Sequence, residues 1–485
     1  MASFLTALAV LVIGYVAYGA LAEKVFGIDP QRPTPAIANA DGVDFIPMPT
    51  WKVFLIQFLN IAGLGPIFGA IMGIMFGPAA FLWIVLGTIF AGAVHDFTSA
   101  MISVRSGGKS LPEIVGTELG GTVKTVMRIF SVVLLILVSA VFVLTPADII
   151  SGMTSESLDV RFWIFIIFAY YILATLLPID KLIGNLYPIF GFALLFMAAG
   201  IMGMLLFGDA AIPDGFSDGL YTRYADADTH PVFPMMFVSI ACGAISGFHA
   251  TQSPMMARCL KNERLARPVF YGAMVAEGFV ALIWAAAAIA FTGGYGELAS
   301  YMQEEGASAG KLVREISMDW LGTAGGILAI LGVVAAPITT GDTALRSTRL
   351  IVADFLNINQ HKLVKRLLVS LPIFALTFVV MMIDFNTLWR YFAWSNQTLA
   401  VFTLWAVTVY LARHKKAYII TLLPAMFMTA VSVSYLLFAR RPEGFGLQWG
   451  LAVGIGACTG VALLLLFLRY RKRLSDGRAT INADY

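Results

Sequence analysis

The chain has 485 residues, of which 59% are hydrophobic and only 13% are charged, and its mean hydropathy is +0.83. Soluble globular proteins carry about 25% charged residues, so this composition excludes a water-soluble globular protein and indicates a chain that lies largely in lipid. The net charge of +3 is small and the positive residues lie between apolar runs, so the charge does not indicate a nucleic-acid partner and none is expected.

Apolar runs long enough to cross a bilayer recur along the whole chain. A membrane-spanning helix needs roughly 20 apolar residues to cross about 30 Å of hydrocarbon. About thirteen segments fit this length and predict an all-α polytopic membrane protein. In chain order they are Leu5–Leu21, Val53–Phe76, Phe81–Val104, Val126–Leu144, Phe162–Leu177, Leu182–Phe207, Pro234–Met255, Val269–Thr292, Gly325–Leu345, Leu367–Ile383, Leu388–Leu411, Tyr418–Phe438 and Leu447–Leu468.

The charge of the loops predicts the orientation of these spans. With the N-terminus outside, most of the 32 lysine and arginine residues fall on the inner side, as the positive-inside rule requires. The longest outer loops, 208–231 and 293–322, are too short to form a separate catalytic domain. The sequence therefore predicts one transmembrane domain over 1–485, with its N-terminus outside and its C-terminus inside.

Two spans contain glycine and proline where a helix should continue. They are the second span, with NIAGLGP at 60–66, and the seventh, with ACGAISGFHATQSP at 241–254. Gly and Pro weaken a helix, and unwound backbone is tolerated in a membrane only where it is buried in protein or lines a cavity. The two spans lie five apart and so run in opposite directions, which is typical of an inverted repeat of five helices. Close helix packing by glycine is the alternative explanation.

Such breaks predict where a solute binds. Half-helix N-termini offer N–H groups to an anionic substrate, and amide side chains in the eleventh span can add hydrogen bonds. The candidate substrate-binding residues are Asn60, Gly63, Leu64, Gly65, Gly243, Ser246, Gly247, His249, Gln252, Asn396 and Gln397.

Polar side chains within other spans are candidates for coupling to an ion, because a charge in hydrocarbon costs at least roughly 2.5–3.5 kcal/mol. Threonine hydroxyls with carbonyls near Ala62 suit Na⁺, whereas an aspartate with a histidine suits a proton relay. A static network, with Asp342 paired to Arg346 one turn on, is the alternative. In the predicted orientation His95, Asp96, His249 and Asp342 fall in the inner half and are expected to meet. The candidate ion-coupling residues are Ala62, His95, Asp96, Thr339, Thr340, Asp342 and Thr343.

The sequence predicts no metal site and no cofactor. The three cysteines, Cys242, Cys259 and Cys458, form no CxxC pair and lie in or beside apolar segments, as buried small apolar residues do. Two histidines with a carboxylate or Gln252 offer a metal set, but the spacing matches no HExxH or CxxC pattern. An intramembrane enzyme would need such a set or a nucleophile with a base, so an enzyme is not expected.

Long motifs are spread over most of the chain. They are 60–65 (NIAGLG), 87–97 (GTIFAGAVHDF), 107–113 (GGKSLPE), 247–254 (GFHATQSP), 340–349 (TGDTALRSTR) and 390–398 (RYFAWSNQT). Together they resemble the carbon starvation protein A (CstA) family. The resemblance implies a bacterial inner-membrane secondary transporter with the LeuT-like five-plus-five fold, whose members take up peptides and pyruvate when carbon is scarce.

The expected protein is thus a carrier for a small solute, a peptide or a monocarboxylate, that works by alternating access with a coupling cation, H⁺ or Na⁺. We expect a peripheral helix and loop over 1–50, the inverted-repeat core over 51–411, and two trailing helices with a short basic tail over 412–485, the last helix ending near 468. A membrane sensor or scaffold subunit without transport activity is the alternative, since a partner could supply an output domain.

Overall fold

The structure is a computed structural model that describes residues 1–476 except positions 43, 156, 177–178, 210, 218, 359 and 361. The side chains of 176, 179–186 and 386 are also outside the described part. The last residue of the predicted fifth span and the tail 477–485 therefore lie outside the described residues. Within the described part the chain is helical and has no strand.

Nineteen α-helices form the described part of the molecule. They are α1 (Ala2–Phe26), α2 (Pro35–Ala38), α3 (Thr50–Ala62), α4 (Ala70–Ile74), α5 (Ala79–Gly87), α6 (Ala93–Arg105), α7 (Leu111–Leu119), α8 (Gly121–Ser151), α9 (Val160–Leu176), α10 (Ile179–Phe207), α11 (Phe237–Ser239), α12 (His249–Ala257), α13 (Gly272–Thr292), α14 (Tyr295–Tyr301), α15 (Ala309–Leu356), α16 (Leu363–Val380), α17 (Phe385–Arg413), α18 (Ile419–Phe438) and α19 (Trp449–Ser475). Short π-helical turns join several of them, at Gly65–Gly69, Thr88–Gly92, Val232–Met236 and Arg267–Tyr271.

Helices lie at all thirteen predicted span positions, and the chain is a multi-pass membrane protein. Among the described residues, nine helices are long and apolar enough to cross a bilayer, and α3 with the bent segment Gly65–Ile74 makes a tenth. The three remaining positions are the α9, α11–α12 and α17 regions. α9 is apolar but short, α12 has only nine residues because a break precedes it, and the polar run 395–398 lowers the hydropathy of α17.

Two predicted boundaries differ from the structure. The predicted span Gly325–Leu345 is part of α15, a 48-residue helix that Gly322 interrupts at φ 66° and ψ 179°. The last helix continues to Ser475, so the predicted end near 468 was wrong. Arginine, lysine and leucine have high helix propensity, and the basic side chains can reach the interface while their backbone stays helical.

The broken segments lie in the middle of the packed helices. The long helix α15 packs along α8 and α10 and also contacts α3, while α12 packs against α6 and α3. The apolar part of Ala79–Arg105 is 83% buried, compared with 28% for α1 and 22% for α19. The first and last helices are therefore peripheral, and the polar residues of the predicted site lie inside a protein core.

Candidate functional site

The first break lies between α3 and the π-helical turn Gly65–Gly69. α3 ends at Ala62, and Gly63 takes φ 47° and ψ −134°, a conformation that favours glycine. The chain bends by 54° between α3 and Gly65–Ile74. A side chain at Gly63 would also lie 2.8 Å from the ring of Phe142. The predicted interruption of the second span is therefore present at the predicted glycines.

The second break is a nonhelical stretch at 240–248, after which α12 begins at His249. Asn396 of α17 holds this stretch in place. Its Oδ1 accepts hydrogen bonds from the Ser246 hydroxyl at 2.9 Å and from the Phe248 N–H at 2.7 Å, and its carbonyl oxygen accepts from the Gly247 N–H at 3.2 Å. Asn396, predicted to bind a solute, is thus engaged in stabilising the break.

The two breaks pack directly against each other. A Cβ atom added at Gly65 would lie 2.0 Å from the Cβ of Cys242, and one at Gly69 would lie 2.8 Å from the carbonyl oxygen of Ser239. A Cβ atom added at Gly243 would lie 3.8 Å from the Cα of Pro66 in the first break. In this conformation the predicted glycines serve close backbone approach. Leu64, beside them, is fully buried.

Amide side chains near the breaks are buried without complete hydrogen bonding. Both amide atoms of Asn60, and the amide oxygens of Gln57, Gln252 and Gln397, have no partner among the described atoms. Gln57 reaches α12 through its Nε2, 3.3 Å from the Ser253 hydroxyl. A buried polar group without a partner costs about 1–3 kcal/mol, so these amides point to a missing ligand. The sequence analysis missed Gln57, although it lies one helical turn before Asn60.

The remaining bonds of these amides tie them to their neighbours. Gln252 donates to the Thr251 hydroxyl at 3.0 Å, and Gln397 donates to the carbonyl oxygen of Phe237 at 3.1 Å. Each keeps its amide oxygen free to accept a further hydrogen bond. Together with Asn60 and with His249, whose Nε2 has no hydrogen-bond partner among the described atoms, these two residues are the predicted substrate-binding residues that retain unused hydrogen-bonding capacity.

Two of the threonine hydroxyls predicted to bind Na⁺ converge. Those of Thr339 and Thr340 both donate to the carbonyl oxygen of Ala336 at 2.8 Å. Thr340 also reaches the first break, with its hydroxyl 2.8 Å from the carbonyl oxygen of Leu59, not of Ala62. The Thr343 hydroxyl bonds one turn further along α15, to the carbonyl oxygens of Thr339 and Thr340. Thr339 and Thr340 therefore share a cluster of oxygen atoms next to the first break, whereas Thr343 lies outside it.

Asp342 has a different partner from the one considered in the sequence. Its Oδ2 accepts a hydrogen bond of 2.8 Å from the Tyr187 hydroxyl, and its buried Oδ1 has no partner. Arg346 donates to the carbonyl oxygen of Ala174 at 2.6 Å, and the described side chains show no ion pair between Asp342 and Arg346. The described side chains thus show no direct contact between Asp342 and Arg346, and Tyr187 is a functional candidate that the sequence analysis missed.

A chain of buried titratable groups joins three helices. Asp96 lies between two histidines, with Oδ1 2.8 Å from His95 Nδ1 and Oδ2 2.8 Å from His249 Nδ1. The other ring nitrogen of His249 lies 3.5 Å from a carboxylate oxygen of Glu277 on α13. All four side chains are fully buried. Of the four residues expected to meet, His95, Asp96 and His249 do, whereas Asp342 has its own partner.

A cavity of about 770 Å³ lies beside the first break. Phe68 of the first break lines it, with Asp148 of α8 and Trp389 of α17. In the predicted orientation it faces outside, because α8 ends and α15 begins there. Ligand pockets in proteins measure roughly 300–1,000 Å³, so the cavity is large enough for a small organic solute.

Sequence comparison assigns this architecture to a family. The profile described as carbon starvation protein CstA matches residues 1–156, 147–323 and 307–435. The chain belongs to the carbon starvation protein CstA family. An uncharacterized membrane protein of Haemophilus influenzae is 43% identical over 59% of this chain and 90% of its own length. The profile match confirms the resemblance seen in the motifs.

Relatives in the CstA family with functional names are transporters. The peptide transporter CstA of Campylobacter jejuni is 31% identical over 57% of this chain and 48% of its own length. The pyruvate/proton symporter BtsT of Escherichia coli is 29% identical over 54% of this chain and 45% of its own length. The chain therefore spans about half the length of the named relatives that it matches.

A solved structure confirms the fold class. MhsT, a LeuT-fold transporter solved in complex with L-phenylalanine, superposes with a TM-score of 0.53 over 86% of this chain and 98% of its own. The sequence identity is 14%, so this likeness concerns the fold alone. It confirms the predicted LeuT-like arrangement with two discontinuous helices, α3 with α4 and α11 with α12.

Proposed function

We propose that this protein is a secondary transporter of the bacterial inner membrane that takes up a small organic solute, a peptide or a pyruvate-like monocarboxylate, by alternating access. The observation that carries the proposal is the meeting of the two broken helices in the protein core, beside the fully buried and unpartnered amide of Asn60. Broken helices of opposite direction form the central binding site in several transporter folds. The names of the peptide and pyruvate transporters among the relatives support the solute class.

The solute would enter from the cavity beside Phe68 and bind at the first break. There Asn60 can both donate and accept hydrogen bonds, and it requires a partner from the solute. The contact of Gly65 with Cys242 closes the direct path between the breaks. Alternating access would separate these two segments, because solute cannot pass between atoms already in van der Waals contact.

We propose that the coupling ion is a proton and that Asp342 carries it. The carboxylate is fully buried, binds the Tyr187 hydroxyl and keeps one free oxygen. An intramembrane carboxylate with such a partner is a typical element of a proton pathway. One relative is named a pyruvate/proton symporter, which favours a proton as the coupling ion.

The test is uptake of labelled pyruvate and of labelled dipeptides into proteoliposomes that contain only this protein. We expect saturable accumulation above the outside concentration when the inside is alkaline, and none with an imposed Na⁺ gradient alone. Accumulation driven by Na⁺ would contradict the assignment of the proton. Failure to accumulate any of these solutes under either gradient would contradict the transport proposal and favour the nontransporting alternative.

A further inference from the structure

Three side chains at the second break bring metal-binding atoms together. Cys242 lies within the nonhelical stretch, His249 is the first residue of α12, and Glu277 lies on α13. One ligand atom of each, the sulfur, a ring nitrogen and a carboxylate oxygen, lies within 4.8 Å of the other two. All three side chains are buried. We propose that Cys242, His249 and Glu277 form a resident binding site for a divalent transition metal ion of the zinc class.

Two of the three residues have ligand atoms without a hydrogen-bond partner among the described atoms, which supports a bound cation. Neither Nε2 of His249 nor either carboxylate oxygen of Glu277 makes a hydrogen bond to any described atom. Two groups that accept protons or cations thus face each other at 3.5 Å within the protein. An ionised carboxylate buried without a partner costs several kcal/mol. A metal ion between the two groups removes that cost, and so does a proton shared by them, which is the competing explanation.

The histidine is held in the orientation that a metal ligand needs. Asp96 accepts a hydrogen bond of 2.8 Å from Nδ1 of His249, which leaves the lone pair of Nε2 directed towards Glu277. Metal-binding histidines commonly donate their other N–H to a carboxylate in this way. His95 contacts the second oxygen of Asp96 at 2.8 Å and so fixes the carboxylate. The His95–Asp96 pair is thereby assigned a positioning role.

A hydrogen-bond donor faces the sulfur of Cys242. The side-chain amide of Asn396 directs Nδ2 at the sulfur of Cys242 from 3.5 Å, and an N–H donor stabilises a negative sulfur. The sulfur also lies 3.7 Å from the hydroxyl of Ser246. A coordinating thiol is deprotonated by the metal itself.

The donor set selects the class of metal. Thiolate, imidazole and carboxylate together suit zinc and its neighbours, whereas Mg²⁺ and Ca²⁺ take oxygen ligands. Zinc binds such atoms at about 2.0–2.3 Å in a tetrahedron, which places the ligand atoms about 3.5 Å apart. The atoms here must therefore approach by up to about 1 Å. Three protein ligands leave the fourth position for water or for another group.

A metal at this position would link parts of the transport machinery. Cys242 and His249 lie within and just after the nonhelical stretch, so one ion would fix the local conformation of the second break and attach it to α13. Cys242 also contacts Gly65 of the first break. Because its donors come from the break itself, from α12 and from α13, the ion is inferred to be resident and not cargo. The inference depends neither on the identity of the solute nor on coupling at Asp342.

The experiment is metal analysis of the purified full-length protein after incubation with Zn²⁺ and removal of unbound ion. We expect about one zinc per chain in the parent protein, and at least tenfold less in Cys242→Ser and Glu277→Gln. The matched control is Cys259→Ser, because Cys259 is equally buried but is not part of the cluster; it should retain the zinc. Equal zinc in all four proteins would mean adventitious binding and overturn the proposal.

A second measurement can be decided on the parent protein alone. Co²⁺ bound to a thiolate gives a charge-transfer absorption in the near ultraviolet, which is expected in the parent protein. Where the variants fold, Cys259→Ser should keep this absorption and Cys242→Ser should lose it. A parent protein that binds neither Zn²⁺ nor Co²⁺ in competition with a chelator would overturn the site and leave the shared proton as the explanation. Accumulation of radioactive zinc in proteoliposomes would overturn the resident role and make the ion a cargo.

Discussion

At the scale of single residues, substituting Asn60 and Asn396 in turn distinguishes a role in solute binding from a role in folding stability. Both are fully buried asparagines, but the side-chain amide of Asn60 has no hydrogen-bond partner among the described atoms, whereas Asn396 holds the second break. Asn60→Leu, of similar volume, removes only an unpaired polar group, so the unfolding temperature in detergent should stay the same or rise. Solute uptake should lose the hydrogen bonds of this amide, and KM should rise about tenfold for about 1.4 kcal/mol.

Asn396→Leu is the matched control and should behave in the opposite way. It leaves the Ser246 hydroxyl and the Phe248 N–H unpaired inside the protein, each of which costs about 1–3 kcal/mol. The unfolding temperature should therefore fall. If Asn60→Leu lowered it as far while the KM of the surviving protein stayed normal, Asn60 would be a structural residue.

Asp342 provides the residue-scale test of coupling. Asparagine in its place can still accept the hydrogen bond from Tyr187 but can no longer carry a proton. We expect Asp342→Asn to keep solute counterflow, because exchange requires no net ion movement, and to reduce gradient-driven accumulation at least tenfold. Both rates are measured in the same proteoliposomes.

The control for this substitution is Asp354→Asn, an exposed carboxylate three turns further along α15. It should leave both rates unchanged. Normal accumulation by Asp342→Asn would exclude Asp342 as the coupling residue.

At the scale of elements, the two breaks act as one packed unit. Gly65→Ala places a Cβ atom 2.0 Å from that of Cys242, a distance that forces the backbones apart. We expect Gly65→Ala to reduce uptake by more than tenfold, and Gly65→Leu to abolish it. Gly203→Ala in α10 is the matched control, because no atom lies within 4 Å of the added group.

The amount of protein inserted in the membrane is measured together with uptake. Normal transport by Gly65→Leu would mean that the contact with Cys242 is absent in the working protein. If Gly203→Ala also lost uptake, the helices would tolerate no added methyl group. The loss of uptake in Gly65→Ala would then not indicate a specific role for Gly65.

At the scale of the whole molecule, the charge of the loops predicts the orientation in the membrane. In a protein with Cys458 changed to serine, single cysteines are placed at Ala2 and at Ala483. Cys458 is the exposed native cysteine, whereas Cys242 and Cys259 are buried. An impermeant thiol reagent applied to intact cells should label position 2 and not position 483. Equal labelling of both positions from outside would contradict the predicted topology.

Much of the molecule follows from the sequence because local composition governs it. The length and apolarity of a segment decide whether it enters lipid, and Gly63 marks the end of α3 because its positive φ suits glycine. The same local reasoning placed both breaks and the motifs of the CstA family. It placed the end of the last helix too early, because a helix can continue beyond its last apolar residue.

Only the tertiary structure decided which buried polar groups meet. The sequence gives the depth of a residue along its span, but the rotation of each helix about its axis is set by long-range packing. That rotation pairs Asp342 with Tyr187 of α10, turns Thr340 towards Leu59, and brings Cys242 and Glu277 to His249. No spacing along the chain records these meetings, because their partners come from helices far apart in sequence.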